Sequence, residues 1–390
     1  MNKHFPTPDD STRKAWRLAG FVTALLLSSA AWPQVDAPRA ADEQAVAGTS
    51  SMTEARRIVD AASRPGAPWS GPTSGPAGQQ GKTIALVAED LRNGGIIGVA
   101  QGVREAAAVM GWSVKVFDAQ GSAAGRAKAL AAARASKADG LVLCGLDALE
   151  NGKSLEPFAA AAVPVVGWHT GPRPGLVPGS AVATNITTDP LDVARVTAMS
   201  AIVQSGGRAG VVILTDSRFA IAMAKARVMA QVIKACAECT LLEVHDVAIS
   251  DSASKMPQLT EELLARHGKR FTHALAINDI YFDHAVPTLT KAGLSKNDVS
   301  LLSAGDGSAP ALLRIQAGIF QTGTVAEPLS QQGWQVIDEM NRLFAHGRAS
   351  GFVAPVHLIT AANIAFDGGT RFEYDPHNDY RSIYRRIWQR

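Results

Sequence analysis

The chain has little cysteine, few aromatic side chains and no concentration of charge of either sign. Three cysteines in 390 residues exclude a disulfide-built scaffold and a cysteine-rich zinc module. The nine histidines contain no H-x-x-x-H pair and none joins a cysteine at zinc-ligand spacing, so no metal site and no cofactor is expected. Charged residues make up 19% of the chain, the formal charge is only +3, and no block of five or six like charges occurs. That distribution argues against a nucleic-acid partner. No G-x-S-x-G elbow is present, and Asn151-Gly152-Lys153-Ser154 lacks the glycine a phosphate loop needs, because Asp147 holds that position. Gly94-Gly95-x-x-Gly98 also misses the G-x-G-x-x-G spacing of a dinucleotide fold. Nothing in the pattern supplies a nucleophile, and an enzyme is not expected.

Hydrophobic runs are short as well. The longest, Leu18 to Trp32, follows Lys3, Arg13, Lys14 and Arg17 and ends in small residues. It is too short to favour a permanent span and fits a signal peptide over residues 1–31, implying export to the periplasm. Without that segment the chain is close to neutral. Residues 32–81 form an extension rich in Ala, Pro, Gly and Ser, with one short helix over 51–63 and then a Pro/Gly linker carrying Trp69. Cys144 lies in an apolar strand and reads as a core residue. Cys236 and Cys239 follow a helix rather than opening one, so the spacing suggests a helix-end disulfide or two free thiols, not a redox pair.

The hydrophobic fraction, 46%, is ample for two cores. From Lys82 onward, apolar runs of four to six residues alternate with amphipathic stretches of 10–18 residues. Strands and helices in that order predict βαβ units and parallel sheets covered on both faces. Ten or eleven strands are more than one doubly wound sheet holds comfortably, so the fold class is α/β with two lobes. Within this pattern, Ala274 to Ser308 places Asn278 and Asp279 at the end of one strand and Gly305-Asp306-Gly307 at the end of the next. The carboxyl ends of parallel strands are where open α/β sheets bind small polar ligands.

The strand-end motifs RNGG (92–95), WHT (168–170), AMAKARVMA (222–230), IND (277–279), AGDG (304–307) and TVAEP (324–328) occur in order. From about Lys82 to Ile359 the chain resembles the type I periplasmic binding proteins, in particular ribose-binding-like solute receptors of ABC importers. The resemblance implies two doubly wound lobes joined by a three-strand hinge: 82–185 plus 328–356, and 186–327 plus 357–390 with the tail. It also implies a ligand held between the lobes by Asn93, Arg227, Asn278, Asp306 and Glu327. His169-Thr170 stands where relatives carry an Asp-Arg pair, with His169 taken as the sixth ligand-binding residue, and Gly95 and Ile96 stand where ribose-type binders carry stacking aromatics. Trp168, Phe219, Tyr281 or Phe282 could substitute for those rings, and core packing is the competing role of each.

These residues imply a monomeric, exported receptor that captures a sugar or polyol-like solute by hinge closure and hands it to ABC permease subunits. A ligand-sensing module for a histidine kinase or chemoreceptor is the alternative on the same fold. A LacI-type repressor would need an N-terminal helix-turn-helix, where this chain has an export signal.

Overall fold

The computed structural model describes residues 52–66 and 68–390. The signal-peptide reading of 1–31 falls outside the described residues. The chain from Thr83 builds two sheets in sequence. The first contains β1 (Thr83–Ala88), β2 (Ser113–Asp118), β3 (Gly140–Cys144), β4 (Val165–Trp168) and β5 (Val182–Ile186), all parallel, in the order β2-β1-β3-β4-β5. The second contains β6 (Gly210–Thr215), β7 (Thr240–Asp246), β8 (His273–Ala276), β9 (Ser300–Ser303), β10 (Gln321–Ala326) and β11 (His357–Thr360), in the order β11-β10-β9-β8-β6-β7, with only β11 antiparallel. Central strands such as β1, β3 and β6 are buried almost throughout, whereas the edge strands β2 and β7 alternate towards solvent. Burial on both faces is why the central strands read as unbroken apolar runs.

Helices cover both sheets. In the first lobe, α2 (Gly94–Met110) and α10 (Leu329–Phe344) pack on one face, while α3 (Ala123–Ala135) and α4 (Gly152–Ala160) pack on the other. Asn93 caps α2 by accepting a hydrogen bond from the Gly95 N–H, and Gly111 ends the helix at φ 69°, the left-handed geometry a glycine adopts without penalty. The α2–α10 crossing is close. An ideal Cβ on Gly102 would stand 2.6 Å from the Ser330 carbonyl oxygen, and one on Gly333 2.5 Å from the Val103 nitrogen. In the second lobe, α5 (Pro190–Gln204) packs on α6 (Ala220–Lys234), and α7 (Ser252–His267) packs on α8 (Ile280–Lys291), around the largest apolar core of the described residues. α9 (Ala309–Ala317) covers β10.

The segments outside this repeat also pack. Helix α1 (Met52–Ala62) buries Ala55 and Ala62 against α5, and the Arg195 guanidinium lies 3.4 Å from Glu54. Trp69 then lies against Phe352 and Tyr384, with ring centroids 4.9 and 5.3 Å away. The backbone at Pro76 and Gln79 bonds the Asn341 side chain on α10. The extension therefore touches both lobes.

The tail does likewise. Ile364 of α11 (Ile364–Asp367) and Tyr374 join a small cluster with Leu312 and Ile315 of the second lobe. Helix α12 (Tyr380–Trp388) instead buries Tyr380, Tyr384, Ile387 and Trp388 in the first lobe's core. The sequence reading grouped 357–390 with the second lobe, so α12 differs from it. The physical reason is the apolar stripe of α12 at i, i+4, i+7 and i+8, which finds its partner in Trp334 of α10. Cys236 and Cys239 are joined by a disulfide beyond the end of α6.

Candidate functional site

The carboxyl ends of both sheets face one another across a narrow cleft lined by residues of both lobes. Its first-lobe wall begins at the end of β1, where Glu89 and Asp90 are buried. Arg126 donates to Glu89 Oε1 at 2.8 Å, and Arg92 lies on Asp90. Glu89 Oε2 is buried without a partner, which leaves one carboxylate oxygen in the cleft wall available to a donor. Burial pushes the Glu89 carboxyl up, against the pull of Arg126. Asn93 lies on the same wall, its carbonyl committed to capping α2. After β4, the His169 ring stacks on Trp168 with centroids 3.8 Å apart.

The second-lobe wall carries Lys225 of α6, whose ammonium donates to the Ala304 carbonyl at 2.7 Å. Asn278 follows β8 and Asp306 follows β9. The Asn278 amide donates to Asp306 Oδ2 at 2.7 Å, so adjacent strand ends deliver one bonded pair. Asp279 holds this wall from behind. Its Oδ2 accepts the N–H groups of Gly307 and Ser308, and its Oδ1 accepts the Gln321 amide. Burial pushes the Asp306 carboxyl up, with His169 and Lys225 pulling against it. Arg218, clamped on Asp216, and the apolar side chains of Phe219, Ile221 and Ile277 complete the wall.

Four of the six residues named from sequence thus meet in the cleft: Asn93, His169, Asn278 and Asp306. Glu327 stands one layer behind. Its Oε1 lies 2.8 Å from His169 Nε2, and its Oε2 accepts from the Gln332 amide and the Thr188 N–H. Burial pushes the Glu327 carboxyl up, but His169, Lys225 and Gln332 outweigh it and hold it at about 2.

Arg227 is a correction. It is exposed on α6 and does not line the cleft. At 100° per residue, two positions turn a helix more than half a circle, so Lys225 faces inward where Arg227 faces out. The sequence carried a signal for this, because Lys225 interrupts the apolar stripe of Ile221, Ala222, Val228 and Met229. Among the candidate aromatics, Trp168 and Phe219 line the cleft, while Tyr281 and Phe282 are fully buried in the second-lobe core.

Chemically, the wall offers carboxylate acceptors, amide groups and a fixed ammonium beside apolar surface. His169, Asp306 and Glu327 also bring potential metal-ligating atoms within 4.8 Å of one another. The Lys225 ammonium favours the charged form of both Asp306 and Glu327, against the burial of each.

No curated protein sequence matches the chain. Solved structures do. A solute-binding protein of an ABC transporter from Agrobacterium vitis with bound allitol is 19% identical, with a TM-score of 0.63 over 73% of this chain and 97% of that one. A second from the same organism, bound with alpha-D-tagatopyranose, is 16% identical, with a TM-score of 0.66 over 75% and 99%. The periplasmic component of an arabinose ABC transporter from Shewanella sp. ANA-3 is 18% identical, with a TM-score of 0.64 over 79% and 96%. At these identities the likeness shows the fold. The sequence profile of the periplasmic binding protein domain matches residues 84–348, and with two parallel-sheet lobes facing across a polar cleft, the chain belongs to this family of non-enzymatic solute binders.

Proposed function

We propose that the chain is an exported, monomeric receptor that captures a sugar or polyol in the periplasm and delivers it to an ABC importer. The observation that carries this reading is the buried Asn278–Asp306 pair facing His169 and Asn93, with Lys225 beside it. A hydroxyl both donates and accepts, so a polyhydroxylated solute can satisfy carboxylate, amide and ammonium groups together. Glu89 Oε2 would take one further hydroxyl. Glu327 acts through His169, whose ring it holds in place, and Arg227 has no part in the grip. The sugars and sugar alcohol named for the structural neighbours support the same chemical class. Bonds from one solute to both lobes exist only in the closed form, so binding shifts the population towards closure. Permease subunits would then read the closed shape.

Isothermal calorimetry against a panel of pentoses, hexoses and sugar alcohols tests this. A panel member should bind the wild-type protein, and Asp306→Ala should weaken it by about 10- to 100-fold, the cost of losing a charge-assisted hydrogen bond. Equal affinity for both proteins would remove Asp306 from the site, and no binding across the panel would remove the substrate class.

A further inference from the structure

The first turn of α6 has no side-chain cap of its own. Its N-cap residue is Phe219, which offers no acceptor, and the N–H groups of a first helical turn need partners. One comes from the other lobe. Asp147, in the loop after β3, accepts the Ala220 N–H on Oδ2 at 3.3 Å. The Asp147 carboxylate is built for this. It is 7% exposed, and its Oδ1 is fixed by the N–H groups of Leu149 and Glu150. Arg218, two residues before Ala220, also crosses to the first lobe, donating to the Gly121 carbonyl at 3.4 Å.

A reciprocal contact lies deeper in the cleft. Asp306, from the second lobe, sits against the first turn of α2, where an ideal Cβ on Gly95 would stand 2.2 Å from Asp306 Oδ2. Each lobe therefore places a carboxylate at the positive end of a helix on the opposite lobe. Both contacts exist only when the lobes are closed.

We propose that Asp147 is a closure latch: a positioning residue that touches no solute and caps α6 from across the cleft. It holds a measurable closed fraction before any solute arrives, and by raising the binding-competent population it raises apparent affinity. Because α6 also carries Lys225 and Phe219, the latch sets how firmly that part of the wall is presented.

The test uses the full chain with nitroxide labels at Lys128→Cys and Lys255→Cys, exposed positions on α3 and α7. Double electron–electron resonance then reports the distance between lobes with no solute added. The wild type should show a closed population. Asp147→Ala should lower the closed-to-open ratio by about fivefold, the usual scale of one helix cap, and Asp147→Asn, which keeps an acceptor, should recover most of it.

Ala220→Pro provides a second route. Proline is favoured at the first helical position and lacks only the N–H in question. Phe219 already has the extended backbone, φ −122° and ψ 120°, that a residue before proline prefers. This variant should match Asp147→Ala, and the double variant should shift no further. It decides the matter alone if Asp147→Ala does not fold. A wild type that is fully open, unchanged distances in the variants, or shifts that add would each overturn the latch. Since no solute is used, failure of the sugar reading would leave this result standing.

Discussion

Gly95 shows how one missing side chain can reorganise a site. Ribose-type relatives are expected to stack an aromatic ring there, but in this chain a Cβ at residue 95 would collide with Asp306 at 2.2 Å. The room a ring would have used is taken by a carboxylate over the first turn of α2. Gly95→Ala should therefore force Asp306 away from Asn278 and weaken binding of any solute that the wild type accepts, by about 5- to 100-fold given the usual cost of overpacking. Calorimetry reads this directly. Undiminished affinity would mean that Asp306 does not need its present position. The Lys225–Arg227 pair carries a related lesson, because the motif was legible but its helical phase was decided by packing. Lys225 is the buried member, at 3% exposure.

Among the elements, α10 has the most unusual surroundings. It is strongly amphipathic, yet Gln331, Gln335, Asp338, Glu339 and Asn341 on its polar side are buried as fully as its apolar residues. The extension, the tail and the loop after α10 cover them, with Gln335 donating to the Phe352 carbonyl and Glu339 accepting the Ser350 N–H. Asn341 bonds the backbone at Pro76 and Gln79, and Asp338 accepts the Trp388 indole N–H at 2.8 Å while pairing with Arg342 at 2.7 Å. Burial pushes the Asp338 carboxyl up, against those two partners. Trp388→Ala removes a fully buried ring, stacked on Trp334 at 5.4 Å, and one partner of a buried carboxylate. It should cost about 3–5 kcal/mol, and Trp388→Phe should cost less because ring packing remains. Urea unfolding measures both, and an unchanged midpoint for the alanine variant would show that α12 is not part of the folded unit. The sequence reading grouped the tail with the second lobe, whereas the stacking of Trp388 on Trp334 places α12 on the first.

For the molecule as a whole, pH separates two contributions to stability. Burial holds His273, in the second-lobe core wall at β8, down at about 4 against an ordinary value of 6.5. Between those values the unfolded chain takes up a proton that the folded chain refuses, so stability falls as pH drops from 6.5 to 4, by about 3 kcal/mol in all. Glu327 runs lower. Its carboxyl is held at about 2 against 4.5, so its contribution is complete above pH 4.5 and disappears as pH falls towards 2. His273→Gln should therefore reduce the drop in melting temperature between pH 7 and pH 4.5. An equal drop in both proteins would refute the assignment.

Much of the architecture was legible because strand and helix periods are local. The run TIALVA declares a strand buried on both faces, and Asn93 and Gly111 mark the ends of α2 within its own sequence. Asn278 and Asp306 could be placed at neighbouring strand ends for the same reason, since parallel βαβ order follows from alternation. By itself, then, the sequence determined the α/β repeat and placed Asn278 and Asp306 at neighbouring strand ends, while Asn93 and His169 were named through the family resemblance. The tertiary structure alone decided that Lys225 replaces Arg227, that Glu327 backs His169, that Asp147 caps a helix of the other lobe, and that the tail closes over α10. Each of these depends on the rotation of one element against another far away in the chain, and close packing sets that rotation only after the core has formed.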